Sequence, residues 1–320
     1  SLFDRYSGQS AFFSLIAVVT YFGVGWFAYG QAVSVSCEVW FEEANNSPSS
    51  YTLGQKADWD PSNYFVENYE EVSIFAESGD IELKSWWVEN DLSKPTVILL
   101  HGVTSSKFSP DILLPMGMLN KSGFNLLAID FRDHGESTCE DGFYSAGQKE
   151  SDDFLAEIAW LKYKVIKPLS IGIYGSSLGG LVALMTPAKS DDFGSIAVID
   201  PPVDFKTLVR EELTYQGLPT FLWEPIYHYA LVFEGINMLN DIPEEALAKG
   251  NKQPLLIFTG VQSDRVLPHH SDDLVEIAIQ NEIEYSIYKY DDMGHTQILF
   301  FYEEEYAQKL TEFYLTNLSN

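Results

Sequence analysis

The sequence predicts an α/β fold: a mostly parallel central sheet with helices on both faces, a small helical cap after the sixth strand and an extra apolar helix at the N-terminus. Three observations carry that expectation. From about residue 70 to the end, apolar strand-like runs alternate with amphipathic helical runs, the pattern of βαβ units. The alternation breaks once, over roughly fifty residues between Asp200 and Pro254 that are too aromatic for a structureless surface loop. And no charged residue occurs from Tyr6 to Cys37.

Composition sets the limits. A chain of 320 residues can bury a full core, and 46% hydrophobic with 21% charged residues is a globular balance. The 19 Lys+Arg against 47 Asp+Glu give a net charge of −28, which excludes nucleic acid and argues against an anionic surface as partner. No C-x-x-C pair or His cluster suggests a metal, and no cofactor is expected. Cys37 and Cys139 can bridge only in an oxidising compartment, and two buried free thiols fit the sequence at least as well.

Taken in order, the run Ala11 to Tyr29 is apolar nearly all round and long enough to cross about 30 Å of hydrocarbon. Arg5 precedes it and Glu38, Glu42 and Glu43 follow, which favours an N-inside membrane anchor through residues 11–32 and an extracytoplasmic catalytic body over a cytoplasmic one. A packed N-terminal helix is the other reading of residues 1–40. Residues 41–69, rich in Asn, Ser, Pro and Gly, form a linker or a covering loop. The body is residues 70–320. It starts with two strands, 71–75 and 81–88, joined by the turn Glu77-Ser78-Gly79-Asp80 as an antiparallel edge. Thr96–Leu100 and Phe124–Asp130 are apolar strands of the doubly buried kind, separated by a helix over 112–121. A helix over 152–164 follows, with Phe154, Leu155, Ile158 and Leu161 on one side. Then come a strand from Ile171, a helix from Leu181, and strands at 195–199, 254–259 and 285–290, with helices over 274–280 and 298–315. The cap occupies about 203–252.

The chemistry centres on Gly175-Ser176-Ser177-Leu178-Gly179, a G-x-S-x-G match between a strand and a helix. Backbone crowding at such a turn demands small residues two positions either side, and that register makes Ser177 the nucleophile. A serine hydroxyl needs a neighbouring base. Of six histidines, His295 lies in a tight loop after the last strand, where it can reach the serine. His269 and His270, opening a helix, are expected to face solvent. The orienting acid should follow an intervening strand; Asp264 is favoured, with Asp200 as its rival. Oxyanion donors are expected at the N–H of Leu178, next to the nucleophile, and of Val103, after His101-Gly102. His101, Phe221, Trp223 and Tyr227 are candidate pocket residues.

Together, His101-Gly102, Asp130-x-Arg132-x-His134-Gly135-x-Ser137, Gly175-x-Ser177-x-Gly179, Asp264-x-Val266-x-Pro268 and Gly294-His295 resemble the α/β-hydrolase superfamily, in particular its serine esterase, monoacylglycerol-lipase and aminopeptidase-like branches. The resemblance covers about residue 70 onward. It implies the α/β-hydrolase fold and a triad of Ser177, Asp264 and His295. Asp133 departs from it, since many relatives carry glycine there. The expected activity is hydrolysis of a small apolar carboxylic ester. Amide cleavage is the alternative, and a non-catalytic binding protein on the same fold is a third reading.

Overall fold

The computed structural model describes the backbone of residues 2–56 and 58–319. The side chains of residues 2–11, Arg5 of the expected inside flank among them, and of Gln55 lie outside what it describes. The chain divides into two compact units, residues 35–204 with 241–320 and residues 1–34 with 205–240.

The larger unit is an eight-stranded sheet in the order β1-β2-β4-β3-β5-β6-β7-β8, comprising β1 (Glu70–Phe75), β2 (Glu82–Val88), β3 (Thr96–Leu100), β4 (Asn125–Ile129), β5 (Ile171–Ser176), β6 (Ser195–Ile199), β7 (Leu255–Gly260) and β8 (Tyr285–Tyr290). The β1/β2 and β2/β4 pairings are antiparallel and all later ones parallel. β3 through β7 are buried along their whole lengths because helices cover both faces. The period of two sorts their side chains: Val97 and Leu99 join one core, Ile98 and Leu100 the other. Helices α2 (Pro110–Lys121), α9 (Ile298–Phe301) and α10 (Glu303–Asn317) build the first core, and α3 (Gln148–Tyr163), α4 (Leu178–Met185) and α8 (His269–Gln280) the second.

Residues 41–69 are a covering loop rather than a linker. Tyr51, Leu53, Tyr64 and Val66 are buried in the first core, and Asn46 Nδ2 donates to the Phe108 carbonyl at 3.1 Å. Just before it, the Val35 N–H bonds the Gly142 carbonyl at 2.9 Å and Cys37 is joined to Cys139, so the two cysteines are bridged rather than free. Helix α7 (Pro243–Lys249) packs on α4 and so belongs to this unit, which shortens the expected cap at its C-terminal end.

The smaller unit joins α1 (Leu2–Val33) to the segment inserted after β6, namely α5 (Phe205–Tyr215), α6 (Trp223–Tyr229) and a π-helical turn at Ala230–Glu234. α1 crosses α6 at Gly25, where an added Cβ would lie 2.3 Å from the Pro225 carbonyl oxygen. Phe22 meets Phe233 with ring centroids 5.2 Å apart, Tyr29 meets Tyr229 at 5.4 Å, and the Tyr21 hydroxyl is 2.6 Å from His228 Nδ1.

Candidate active site

β5 ends at Ser176 and α4 begins at Leu178, so Ser177 alone makes the turn, at φ 51° and ψ −114°. That backbone is unfavourable for an L-residue and persists only where its surroundings enforce it. They do so by crowding. A Cβ on Gly175 would sit 2.4 Å from the Gly179 carbonyl oxygen, and one on Gly179 would sit 2.1 Å from that of Leu100. Within Ile171–Gly180 every residue is buried except Ser177. A Cβ placed on Gly102 would lie 3.4 Å from Ser177 Cβ, so the loop after β3 passes beside the serine. Among the described contacts, the N–H groups of Val103 and Leu178 donate to no protein acceptor. Two free donors thus lie in the segments flanking the one side chain that faces outward.

His295 follows β8. A Cβ on Gly260, the last residue of β7, would meet the Gly294 carbonyl oxygen at 2.3 Å, so the end of β7 lies flat against the histidine loop. The imidazole is one-fifth exposed, with Nδ1 3.2 Å from Ser263 Oγ and 3.8 Å from Asp200 Oδ2. Asp200 is buried; its two oxygens accept the N–H groups of Gly260 at 2.9 Å and Thr296 at 2.7 Å. Asp264, the acid expected at this position, has an exposed side chain, and no hydrogen bond or ion pair links it to His295 among the described contacts. The loop after β7 turns Ser263 inward, so the neighbouring Asp264 points out. Burial holds the His295 pKa down to about 4, the Arg265 charge adds to that, and the Asp264 charge opposes it. Burial likewise pushes the Asp200 carboxyl up to about 7, against the two N–H bonds that favour its ionised form.

A strained, outward-facing serine, two free N–H donors and a neutral histidine beside a buried carboxyl are the parts of a serine hydrolase. The model of the prolyl oligopeptidase family, a peptidase family, matches residues 114–320. The chain belongs to the prolyl oligopeptidase family. It is an α/β hydrolase of the serine type, on a fold shared with solved enzymes of this superfamily. The Pyrococcus furiosus esterase Pf2001 is 27% identical, with a TM-score of 0.63 over 86% of this chain and 98% of that one. The Pyrococcus horikoshii acylaminoacyl peptidase is 18% identical, with a TM-score of 0.62 over 79% of this chain and 42% of that one, a likeness of fold alone. The Bacillus subtilis (strain 168) uncharacterized protein YqkD is 25% identical over 234 residues, 69% of this chain and 73% of that protein.

The other motif residues of this hydrolase brace the loops after β3 and β4. Asp130 accepts both Lys107 N and, through its other oxygen, Lys107 Nζ at 2.6 Å; Lys107 is wholly buried and also reaches Glu136 at 2.7 Å. Arg132 grips Asp153 through two bonds of 2.6 and 2.7 Å, the bidentate geometry only a guanidinium offers. Asp133 explains the departure from glycine. Its φ is 60°, which glycine would adopt freely, but its Oδ1 accepts the N–H groups of Glu140, Asp141 and Gly142 and so ties down the loop that carries Cys139.

His101 is no pocket wall. It is completely buried, with Nδ1 2.7 Å from the Gly102 carbonyl and Nε2 accepting the Phe131 N–H at 3.1 Å, so it ties the loop after β3 to the one after β4. Phe221, Trp223 and Tyr227 belong to the smaller unit, where Trp223 is buried and stacks on Tyr227 at 5.6 Å, while Phe221 is 68% exposed. His270, expected at the surface, is fully buried.

Two site residues escaped the sequence reading. Ser263 reads as loop filler until its hydroxyl is seen at Nδ1. Asp111 stands in the first turn of α2, where its half-buried carboxylate accepts the Ser176 hydroxyl at 2.9 Å and fixes the residue before Ser177. Burial raises its pKa, and its charge in turn helps burial raise that of Glu43 to about 7. Ser109 Oγ, donating to Glu43 at 3.1 Å, connects the covering loop to this group.

Proposed function

We propose that this hydrolase cleaves carboxylic esters through an acyl-enzyme on Ser177. Ser177 Oγ attacks the ester carbonyl carbon while His295 Nε2 takes its proton. The N–H groups of Val103 and Leu178 receive the negative charge that develops on the carbonyl oxygen. The tetrahedral species collapses, the C–O bond breaks, and His295 returns the proton to the leaving alcohol. Water then attacks the acyl-enzyme with His295 as base, releasing the acid and free serine. The scheme needs no cofactor. We assign the orienting carboxylate to Asp200, on its 3.8 Å approach to Nδ1. Catalytic hydrogen bonds commonly tighten only with substrate bound.

The observation that carries the reading is the pair of free N–H groups in the segments beside the strained, outward-facing serine. Esters are preferred because the similarity to the Pyrococcus furiosus esterase spans 98% of that chain, whereas the acylaminoacyl peptidase is matched over only 42% of its length. Amide cleavage is the second reading, favoured by the peptidase family that the model defines. Wild type and Ser177→Ala assayed on p-nitrophenyl butyrate and on aminoacyl p-nitroanilides separate them. Ester turnover that vanishes in Ser177→Ala supports the proposal. Turnover of anilides alone establishes the peptidase, and activity surviving in Ser177→Ala refutes the nucleophile.

A further inference from the structure

The smaller unit displays apolar surface that the hydrolase reading leaves unused. From Phe12 to Val33, α1 runs 22 residues with no charge; its most apolar 18-residue window has a mean hydropathy of 1.7, yet only 11% of that window is buried. A core helix is buried where it is apolar; this one is not. Phe13, Leu15, Ile16, Val18 and Tyr21 are all exposed and, at about 3.6 residues per turn, lie on all sides of the helix. Its rise of about 33 Å matches the roughly 30 Å thickness of a bilayer's hydrocarbon core.

The apolar surface does not stop at α1. Phe221, Val232 and Phe233 of the inserted segment are 68, 60 and 59% exposed, and Phe233 packs on Phe22. The crossing is a close one, glycine against the Pro225 backbone, as helices adopt where lipid surrounds them. Tyr21 and His228 satisfy each other across it. From Gly25 to the helix end at Val33 is about 12 Å of rise, a little deeper than the 5–10 Å or so that interfacial helices sink below the headgroups. Glu224 and Glu234, both exposed, keep the inserted helices at that boundary rather than in the hydrocarbon. Beyond Val33 the chain is fastened to the body by the Cys37–Cys139 bridge, which persists only in an oxidising compartment.

We propose that α1 spans a lipid bilayer, that the cap helices packed on it at Gly25 lie in the adjoining membrane interface, and that both stand on the membrane such that the catalytic unit is on the oxidising, extracytoplasmic side. The bilayer is the sole occupant that matches the length, the all-round apolarity and the shared surface of α1 and the inserted helices. None of this depends on the ester reading.

The test uses the full chain with a C-terminal tag, expressed in a Gram-negative host. The chain is expected to stay with membranes after alkaline carbonate, and the tag to be cut by protease added to intact spheroplasts. Val18→Lys/Val19→Lys, placed on exposed helix positions, should move most of the protein to the soluble fraction; resistance of its body to limited trypsin reports that it still folds. Gly25→Leu, which leaves the span apolar, should remain in the membrane while trypsin cuts the inserted segment faster. Four results overturn the proposal: a wild-type chain soluble without detergent as monomer or dimer, a mature N-terminus lying beyond Val33 as a cleaved leader would leave, a tag protected inside spheroplasts, or a double-Lys variant that folds and stays in the membrane.

Discussion

Replacing Asp200 by Asn removes the charge that lies 3.8 Å from His295 Nδ1 and alters little else in size. Both carboxylate oxygens are in use, one on Gly260 N and one on Thr296 N. Asn keeps one acceptor and turns an NH₂ group against the other donor, so Asp200→Asn should cost about 1–3 kcal/mol of stability. Its effect on catalysis should be far larger. Without a carboxylate at Nδ1 the imidazolium is unsupported and its tautomer uncontrolled, which costs kcat roughly 10³–10⁴-fold. Asp264→Asn removes an exposed charge that only raises the His295 pKa from a distance, so kcat should change by less than about tenfold. The pH profile adds an independent readout. His295, held down to about 4, is already neutral at pH 5, so the wild-type limb should report Asp200, with kcat/KM rising through about pH 7 as that carboxyl ionises. The limb should vanish in Asp200→Asn and persist in Asp264→Asn. The assay is kcat and KM on p-nitrophenyl butyrate from pH 5 to 9, with thermal unfolding of each variant alongside. If Asp264→Asn loses 10³ in kcat while Asp200→Asn stays within about tenfold, the acid is Asp264 and the assignment to Asp200 is wrong.

The two adjacent serines should separate cleanly. Ser177→Ala should lose at least about 10⁴ in kcat at unchanged stability, while Ser176→Ala should keep kcat within about tenfold and lose about 1–2 kcal/mol, because it strips the half-buried Asp111 of a hydroxyl partner; urea unfolding and ester turnover read both. Stability should fall as pH rises from about 4 to about 7. Asp200 and Glu43 bind protons more tightly folded, both with pKa near 7, than unfolded near 4, so their protonated forms favour the native state below that window and the advantage is lost across it. Calorimetry should therefore give a higher Tm at pH 5 than at pH 8, and Asp200→Asn should flatten the slope. Reducing the Cys37–Cys139 bridge, which closes a separation of 102 residues, should cost about 2–4 kcal/mol. A denaturation midpoint unmoved by reductant contradicts that.

What could be read in advance was whatever backbone crowding or burial dictates locally. Thr96–Leu100 and Ser195–Ile199 are strands at the expected residues because four apolar side chains in a row after a small hydroxyl residue fit a sheet covered on both faces. The elbow was legible because glycine is compulsory at 175 and 179, where any Cβ would press into backbone at 2.4 and 2.1 Å. Contacts between distant segments left no such mark. Asp111 becomes part of the site because the elbow's Ser176 donates to it and the covering loop brings Glu43 near, and α1 meets α6 through a glycine that in sequence merely interrupts an apolar run. The acid is the instructive case. β6 and β7 are parallel neighbours, so the loops that follow them, carrying Asp200 and Asp264, start side by side on the same edge of the sheet. Both loops lie after Ser177 and before His295 in the chain, and both satisfy the order serine, acid, histidine. What distinguishes them is which side chain of the Ser263-Asp264 pair turns toward the imidazole. In a loop, a single residue's backbone angles decide that, and residue type barely constrains them. A motif can therefore name the strand ends from which an acid can act, but only the path of the loop decides which carboxylate reaches the histidine.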